Sequence, residues 1–334
     1  METLGKRAAT KSRVRARAAN QDSDVTTLPR DILRLRDQLW RRRRELRLRS
    51  PAEARRFVRQ VGFCLFWPTE GVELPNLLQA IAGNARPLTA GYDGPAIGRS
   101  WNWKDDALDK RWWYYGKLLR RRATIVSLEL LPSFYALSEN YGDARDYLVE
   151  YEEGRLSAEA KSVYEALLER GPLDAVRLRK ESRLAATQAK ARFDRALVEL
   201  QGDLKVMPIG VADAGAWHYA FIYDLVERWF PELPAQARPI STREARSRIV
   251  TQYLENVIVA QRGSISHDLG WRPNEVDRAL TGLVESERVL EFEMEPGTRP
   301  VVATRRWARR LRRGGITPKK KSPARGRRGE RRGR

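Results

Sequence analysis

The sequence predicts a mainly α-helical protein with small β wings, in the α+β class. Three observations support this prediction. Amphipathic segments that begin with helix-capping residues recur along the chain, and short alternating segments typical of strands follow them in its second half. In addition, two stretches repeat the same order of segments at an offset of 83 to 84 residues, which indicates a repeated supersecondary structure.

The composition narrows the class of protein further. The chain has 334 residues, 42% of them hydrophobic, which is enough for two or three domains with buried cores and excludes a wholly disordered protein. No apolar run reaches the ~18 to 20 residues of a membrane span, and the first 20 residues lack the apolar stretch of a secretory signal, so we expect a cytoplasmic protein without a membrane partner. One Cys and two His cannot form a disulfide or a Cys/His zinc site, so we expect neither a metal nor a cofactor.

The formal charge of +21 is concentrated at the two ends of the chain. Residues 1–20 carry a net charge of +5 and residues 305–334 a net charge of +14, which leaves +2 for the 284 residues between them. Cationic ends release counterions from a phosphate backbone, so they predict salt-sensitive binding to nucleic acid. Double-stranded DNA is therefore the expected partner, and a nucleoid-associated location follows. Tails that merely solubilise the protein or bind an anionic membrane are the alternative.

The ends of the chain have their own predicted organisation. Residues 1–26 and 314–334 lack hydrophobic periodicity and are predicted to be a disordered basic arm and a disordered basic tail. Residues 27–49 are predicted to form an Arg-rich helix, because apolar residues recur there at helical spacing. This helix either lies on DNA or packs its apolar side against the rest of the protein, and the sequence does not decide between the two.

Residues 50–150 are predicted to form the first folded domain, which we expect to be winged-helix-like. Ser50, Pro51 and Glu53 mark a helix start, because they supply a cap, a proline at the first helical position and a capping-box glutamate. The elements predicted after that start are a helix to Gly62, a loop at 67–71, a short helix at 75–81, an irregular connection at 84–104, a helix at 105–121 and a strand at 123–130.

Aromatic and cationic residues alternate in the predicted helix at 105–121. Stacking of these rings on unpaired bases is one interpretation. Burial in the core is the favoured one, because the four consecutive aromatics at 112–115 would point in all directions around a helix. The candidate DNA contacts in this segment are Lys117, Arg120, Arg121 and Arg122.

The internal repeat covers residues 151–238 and 239–313. Ser157 and Ser241 cap the first helix of each unit. The first unit has predicted helices at 158–170, 173–183 and 187–201 and strands at 205–209 and 217–223; the second has helices at 242–256, 264–269 and 273–286 and strands at 289–294 and 301–304. Three helices followed by a β-hairpin are typical of a winged helix. We therefore predict tandem winged-helix domains, with these units as the second and third.

The third helix of a winged helix lies in the major groove, so its outward residues are candidate DNA contacts. At ~100° per residue, Phe193 and Val276 begin the inward faces of the two third helices. Arg and Gln side chains can read base edges, and Lys can reach phosphate. The outward candidates are Gln188, Lys190, Arg192, Arg195, Asn274 and Arg278. Alternatively, the units are protein-interaction or spacer modules with solvated arginines.

Several segments resemble a known family. The chain is similar to winged-helix proteins related to the AlkZ and YcaQ DNA glycosylases over about residues 50–310. The similar segments are Val61–Phe63 through Glu73–Pro75, Tyr115–Arg120, Ser127–Ser138 and both repeat units. The resemblance implies tandem winged helices around a DNA-binding concavity. In the enzymes it further implies excision of alkylated or crosslinked bases by a Gln-apolar-Gln or Gln-apolar-Asp motif that positions water.

The chain departs from that motif where the resemblance places it, since Gly62–Trp67 contains neither Gln nor Asp. The sole Gln-x-Asp sequence, Gln201–Asp203, lies between a predicted third helix and a wing, so the catalytic role is not transferred to it. Glycosidic hydrolysis needs a polar group that orients water. Glu70 and Glu73 are the candidate carboxylates, although loop solvation explains both as well.

The sequence thus predicts a DNA-binding protein of DNA repair or damage recognition. Two alternatives remain. The protein is either an active glycosylase for alkylated or crosslinked bases that uses other residues, or a transcriptional regulator or nucleoid-associated protein without catalysis.

Overall fold

The computed structural model describes residues 28–85, 94–138, 140–143, 145–215 and 217–313, and the backbone of residues 319 and 320. The predicted arm at 1–26, and the predicted tail at 314–334 except for those two residues, lie outside the described residues. The described chain is mainly helical with three small antiparallel sheets, as the sequence predicts for its class. The described chain divides into two units between Leu35 and Arg36.

The Arg-rich helix predicted over 27–49 is shorter in the structure. Helix α1 is Arg30–Leu39, and a single 3₁₀ turn follows at Arg44–Leu46. Arg41, which lies between the two, has a φ of 58° that a helix does not allow. Tertiary contacts hold the chain in this turn, because the Trp40 indole donates to the Asn256 carbonyl at 2.8 Å and the Arg42 guanidinium lies 4.4 Å from the Trp40 ring.

The first domain begins as its capping signals predict. The Ser50 hydroxyl accepts a hydrogen bond from the Glu53 amide, and the helix ends at Gly62, which has a φ of 69°. Its helices are α2 (Pro51–Val61), α3 (Leu77–Ala82), α4 (Pro95–Asp109), α5 (Leu131–Tyr135) and α6 (Asp146–Glu152), and its strands are β1 (Phe63–Leu65), β2 (Tyr114–Gly116) and β3 (Thr124–Val126). The middle strand of its sheet is β3, which pairs with β1 and β2.

Two predictions within this domain are wrong. Helix α4 occupies part of the expected irregular connection at 84–104, and the expected helix at 105–121 ends at Asp109 and is followed by β2. Tyr114 and Tyr115 lie on β2 and are 0% and 6% exposed. Aromatic side chains favour a half-buried pleated surface, so pairing with β3 outweighs the helical pattern. The same burial supports the core interpretation of the aromatic segment.

The two repeat units each place three helices before an antiparallel strand pair. The first unit contains α7 (Ala158–Arg170), β4 (Leu173–Asp174), α8 (Ala175–Glu181), α9 (Lys190–Gly202), β5 (Val206–Ala212) and β6 (Ala220–Leu225), and α10 (Val226–Trp229) and α11 (Leu233–Ala237) follow it. The second contains α12 (Thr242–Val257), α13 (Arg262–Leu269), α14 (Pro273–Glu285), β7 (Val289–Glu293) and β8 (Val301–Thr304), with α15 (Arg305–Arg313) and β9 (Lys319–Lys320) after them. Most of these bounds lie within a few residues of the predicted ones.

The buried hydrophobic residues of the described ranges form three cores. The largest joins the first domain to the second repeat unit, with Phe63 and Phe134 from the one and Tyr253 and Leu280 from the other. A second core lies within the first domain around Phe57. The third is built almost wholly from the first repeat unit. No helix in the described ranges is both long and apolar enough to cross a membrane.

Candidate functional site

The third helices of the two repeat units present arginines at equivalent positions. Arg195 on α9 and Arg278 on α14 are exposed, whereas Phe193 and Val276 are 2% and 1% exposed on the opposite sides. Within the part of the chain that the structure describes, neither arginine has a carboxylate at ion-pair distance. Both guanidinium groups therefore face water and are available to an anionic partner.

The other candidates on these helices are exposed as well. Lys190 pairs with Asp194 at 2.9 Å, and Arg192 pairs with Glu159 at 3.2 Å. Exposed ion pairs of this kind contribute only ~0–1 kcal/mol, so a phosphate can compete for either cation. Gln188, in the turn before α9, and Asn274, in the first turn of α14, are also exposed.

A second group of candidates lies in the turn between β2 and β3. Arg120 and Arg121 have φ values of 48° and 57°, which place two consecutive non-glycine residues in the left-handed region. Such conformations persist where the surroundings enforce them, often at functional sites. The Arg120 guanidinium donates to the His267 carbonyl at 2.7 Å, while Arg121 and Arg122 are exposed. Lys117 is half-buried, and burial lowers the pKa of its ammonium.

This turn forms one wall of a cavity of about 550 Å³. The end of α9 forms a second wall, and the end of α13 a third. The cavity therefore brings Arg120 and Arg121 close to Asp203 and Trp271. Its lining residues are Leu118–Arg121, Phe134, Leu137, Ser138, Glu150, Arg155, Glu199, Gly202–Leu204 and Leu269–Trp271.

Three carboxylates line the cavity, and two of them are held by partners. Glu150 is buried and pairs with Lys205 at 2.9 Å. Glu199 accepts hydrogen bonds from the Ser157 amide and hydroxyl at 2.8 and 2.7 Å. The Asp203 carboxylate has no such partner within the described ranges, and the residue is exposed to solvent where it lines the cavity. The surrounding protein, with Glu150 nearby, raises its pKa to about 6.

Gln201 and Asp203 do not act together as a Gln-x-Asp pair. Gln201 is buried, its side-chain amide donates to the Leu197 carbonyl at 2.9 Å, and its own carbonyl accepts a hydrogen bond from the Tyr114 hydroxyl at 3.2 Å. Only Asp203 faces the cavity. The sequence shows this aspartate next to the end of a helix, but the opposing wall, which comes from the β2–β3 turn, is not visible in the local pattern.

The candidate carboxylates Glu70 and Glu73 lie elsewhere. Both are exposed, and Glu73 lies 3.6 Å from the buried Arg36 guanidinium. Neither lines the cavity. Across the described ranges, no group of three or more His, Cys, Asp or Glu side chains is arranged to hold a metal ion.

The place at which the family resemblance puts the catalytic motif is a buried strand. Phe63, Cys64 and Leu65 form β1, and each is at most 2% exposed. Burial raises the pKa of the Cys64 thiol well above its ordinary value, so this thiol is not a nucleophile at neutral pH. This strand therefore offers packing and no polar chemistry.

Comparison with known proteins supports the resemblance seen in the residues. Residues 48–270 match the family model described as AlkZ related. Among solved structures, the DNA glycosylase AlkZ of Streptomyces sahachiroi has a similar fold, with a TM-score of 0.51 at 14% identity over 83% of this chain and 71% of that chain. No curated protein matches the chain. The resemblance to AlkZ that the sequence predicts is confirmed.

Proposed function

The chain belongs to the AlkZ-related family, and on that premise we propose that it is a DNA-binding tandem winged-helix protein of DNA repair or damage recognition. The proposed winged helices are residues 50–150, 151–238 and 239–313. In the last two, three helices precede an antiparallel strand pair, which is the order that a winged helix requires. Double-stranded DNA is the proposed partner, in the cytoplasm with the nucleoid.

One observation carries the proposal: equivalent helices of both repeat units present an exposed arginine without a carboxylate partner in the described ranges, Arg195 in one and Arg278 in the other. In a winged helix this position faces the major groove. Arg121 and Arg122 add two further exposed cations. Similarity in fold to a DNA glycosylase supports the connection with repair.

Equilibrium binding to matched duplexes tests this proposal. Full-length protein is titrated into a labelled intact duplex and into the same duplex with one abasic or alkylated nucleotide. Damage recognition requires tighter binding to the damaged duplex. Equal affinity for both would instead favour a regulator or nucleoid-associated protein, and no binding to either duplex at low salt would overturn the proposal.

A base-excising hydrolase is the second candidate, because Asp203 offers suitable chemistry. A carboxyl with a pKa of about 6 can be ionised at neutral pH and still accept a proton from water. Its negative charge would also stabilise a cationic sugar in the transition state. A cavity of about 550 Å³ is within the range of small-molecule sites.

Formation of abasic sites in damaged duplexes tests the second candidate. We expect wild-type protein to release a base, Asp203→Asn to release it at least ~100-fold more slowly, and Glu73→Gln, a carboxylate remote from the cavity, to match wild type. Absence of abasic product from wild type across several alkylated and crosslinked duplexes, with binding intact, would leave DNA binding as the whole function.

A further inference from the structure

The hairpin of β5 and β6 carries a strongly exposed aromatic side chain. Trp217 lies in the turn between the strands and is 90% exposed, more than any other large hydrophobic residue in the described ranges. Val176 on α8 is 51% exposed and neighbours the same turn, since a Cβ added at Gly215 would lie 3.6 Å from its Cγ2 atom. Trp217 and Val176 therefore leave apolar surface exposed beside the same turn, where a partner can cover it.

The turn end of this hairpin is held against the first domain. The Lys104 side chain of α4 is fully buried, and its ammonium donates to the Tyr219 hydroxyl at 2.8 Å and pairs with Asp105 at 2.6 Å. The same ammonium lies 4.3 Å from the ring centres of Trp101 and Phe221, distances at which a cation is attracted to an aromatic face. Tyr219, directly before β6, and Phe221 on β6 are thereby held against α4 close to the turn.

The turn itself is closed by a local contact. The His218 Nδ1 atom lies 2.8 Å from an Asp213 carboxylate oxygen across the turn, and His218 has a φ of 52°. Trp217 is therefore presented outward between this contact and the anchored Tyr219.

Two exposed cations lie on the helix beside the turn. Arg177, which pairs with Asp174 at 3.4 Å, and Lys180 follow Val176 on α8. An exposed pair of this kind is weak enough for a phosphate to compete for the arginine, and the Asp213 carboxylate of the turn is itself in contact with His218. We propose that Trp217 stacks on a DNA base as a wedge at a kinked or opened step of the duplex, while these two cations contact neighbouring phosphates. Aromatic and apolar wedges are a general means of unstacking such steps. This inference rests on the proposed DNA-binding function. It adds Trp217 as the residue that recognises a kinked or opened step of the duplex.

Binding of full-length Trp217→Ala to paired duplexes tests the wedge. One duplex is fully paired, and the other carries a mismatch flanked by 2-aminopurine. We expect Trp217→Ala to bind the mismatched duplex roughly 5- to 100-fold more weakly than wild type, from the contribution of one stacked base. The loss on the paired duplex should be smaller. Wild type should also change the 2-aminopurine fluorescence, and the variant should not.

Two variants serve as controls. Trp217→Phe keeps a ring and should retain most of the affinity, and Tyr141→Ala removes another exposed ring, 74% exposed, and should behave as wild type. If Trp217→Ala keeps the affinity and the 2-aminopurine fluorescence change of wild type on both duplexes, the proposed wedge is wrong. In that case, an affinity for duplex DNA that still falls when Arg195 and Arg278 are substituted would leave the proposed function standing. Loss of self-association by Trp217→Ala with DNA binding unchanged would also overturn it, in favour of a protein contact.

Discussion

Partial burial at the cavity wall and the nearby Glu150 carboxylate raise the pKa of the Asp203 carboxyl to about 6. Its pKa rises from 3.8 to about 6 on folding, so between these values the folded protein binds more protons at this residue than the unfolded protein does. The free energy of unfolding therefore falls as the pH rises through this window. A partly protonated carboxyl at pH 6 is also the form that can exchange a proton with water in the cavity.

Asp203→Asn should remove this pH-dependent loss of stability. We expect the variant to melt a few degrees above wild type at pH 7 and at nearly the same temperature at pH 4, because an amide resembles the protonated acid. Thermal unfolding at several pH values measures the difference. Glu70→Gln is the control, and an equal gain from that exposed carboxylate would contradict the explanation.

Arg195→Ala and Arg278→Ala should each weaken binding to duplex DNA. If each arginine contacts one phosphate, each variant should reduce the slope of log K against log salt by about 1 and lower the affinity about equally for all sequences. Fluorescence anisotropy over a salt series measures both quantities. Lys110→Ala, which removes a cation already paired with Asp106 on its own helix, is the control. Unchanged affinity in the double arginine variant would exclude a groove-docked pair of helices.

For single residues, the sequence predicts well which side chains of a helix point inward. It does not predict which side chains from distant parts of the chain meet at one site. The inward positions of α9 and α14 follow from helical periodicity, and residues such as Phe193 and Val276 are buried as expected. Asp203 is different, because its chemistry depends on Arg121 and Glu150, which are distant in sequence. No local pattern contains that information.

Gly62 shows how one residue permits the change from a helix to a strand. It follows α2, has a φ of 69°, and a Cβ there would lie 2.6 Å from the Gln252 Cγ atom of α12. The Gln252 side chain in turn donates to the Gln60 carbonyl at 3.3 Å. The absence of a side chain at Gly62 therefore allows α2 and α12 to approach closely.

Gly62→Ala should destabilise the protein by roughly 2 to 5 kcal/mol, from a strained backbone together with an overpacked contact. Gly154→Ala is a matched control, since Gly154 has a φ of 71° but no atom within 4 Å of the added methyl group. The control should show only the backbone cost, about 1–2 kcal/mol. Urea denaturation compares the two, and equal losses would mean that the contact with Gln252 is unimportant.

The buried Lys104 ammonium, which joins α4 to Tyr219 before β6, should make the free energy of unfolding depend on pH in the alkaline range. Burial lowers the pKa of Lys104 from 10.5 to about 8. Between these values the unfolded protein binds the proton that the folded protein has lost, so the free energy of unfolding rises with pH. Lys104→Met lacks this titration, and wild type should gain up to roughly 3 kcal/mol relative to it from pH 8 to 10.5. Parallel curves for both proteins would show that Lys104 does not titrate in this range.

Among the elements, the sequence predicts those of the repeat units best. Their helices have caps at Ser157 and Ser241 and a clear 3.6-residue period, so the observed bounds are close to the predicted ones. The β2 segment is harder, because Tyr114 and Tyr115 follow a helix without a proline or glycine between them. Only their pairing with β3, across the domain, defines the strand.

Removal of the charged ends should separate two contributions to DNA binding. Residues 1–26 hold six Lys and Arg and residues 314–334 hold nine. A protein limited to residues 27–313 should bind duplex more weakly at low salt, and its salt slope should fall by about 0.9 for each lost phosphate contact. The ratio between damaged and intact duplex should stay the same, since tail contacts do not read sequence or shape. An unchanged slope would show that the ends do not touch DNA.

The large shared core has a consequence for how the protein opens. Because Phe63 and Phe134 pack in the same cluster as Tyr253 and Leu280, amides in β1 and in α12 should exchange with deuterium through one common opening. Helices α7 to α9 have a largely separate cluster, so their amides can exchange through a smaller opening of lower free energy. The middle of the polypeptide is thus expected to act as a semi-independent foldon, bracketed by two segments that are remote in sequence but lose their protection together.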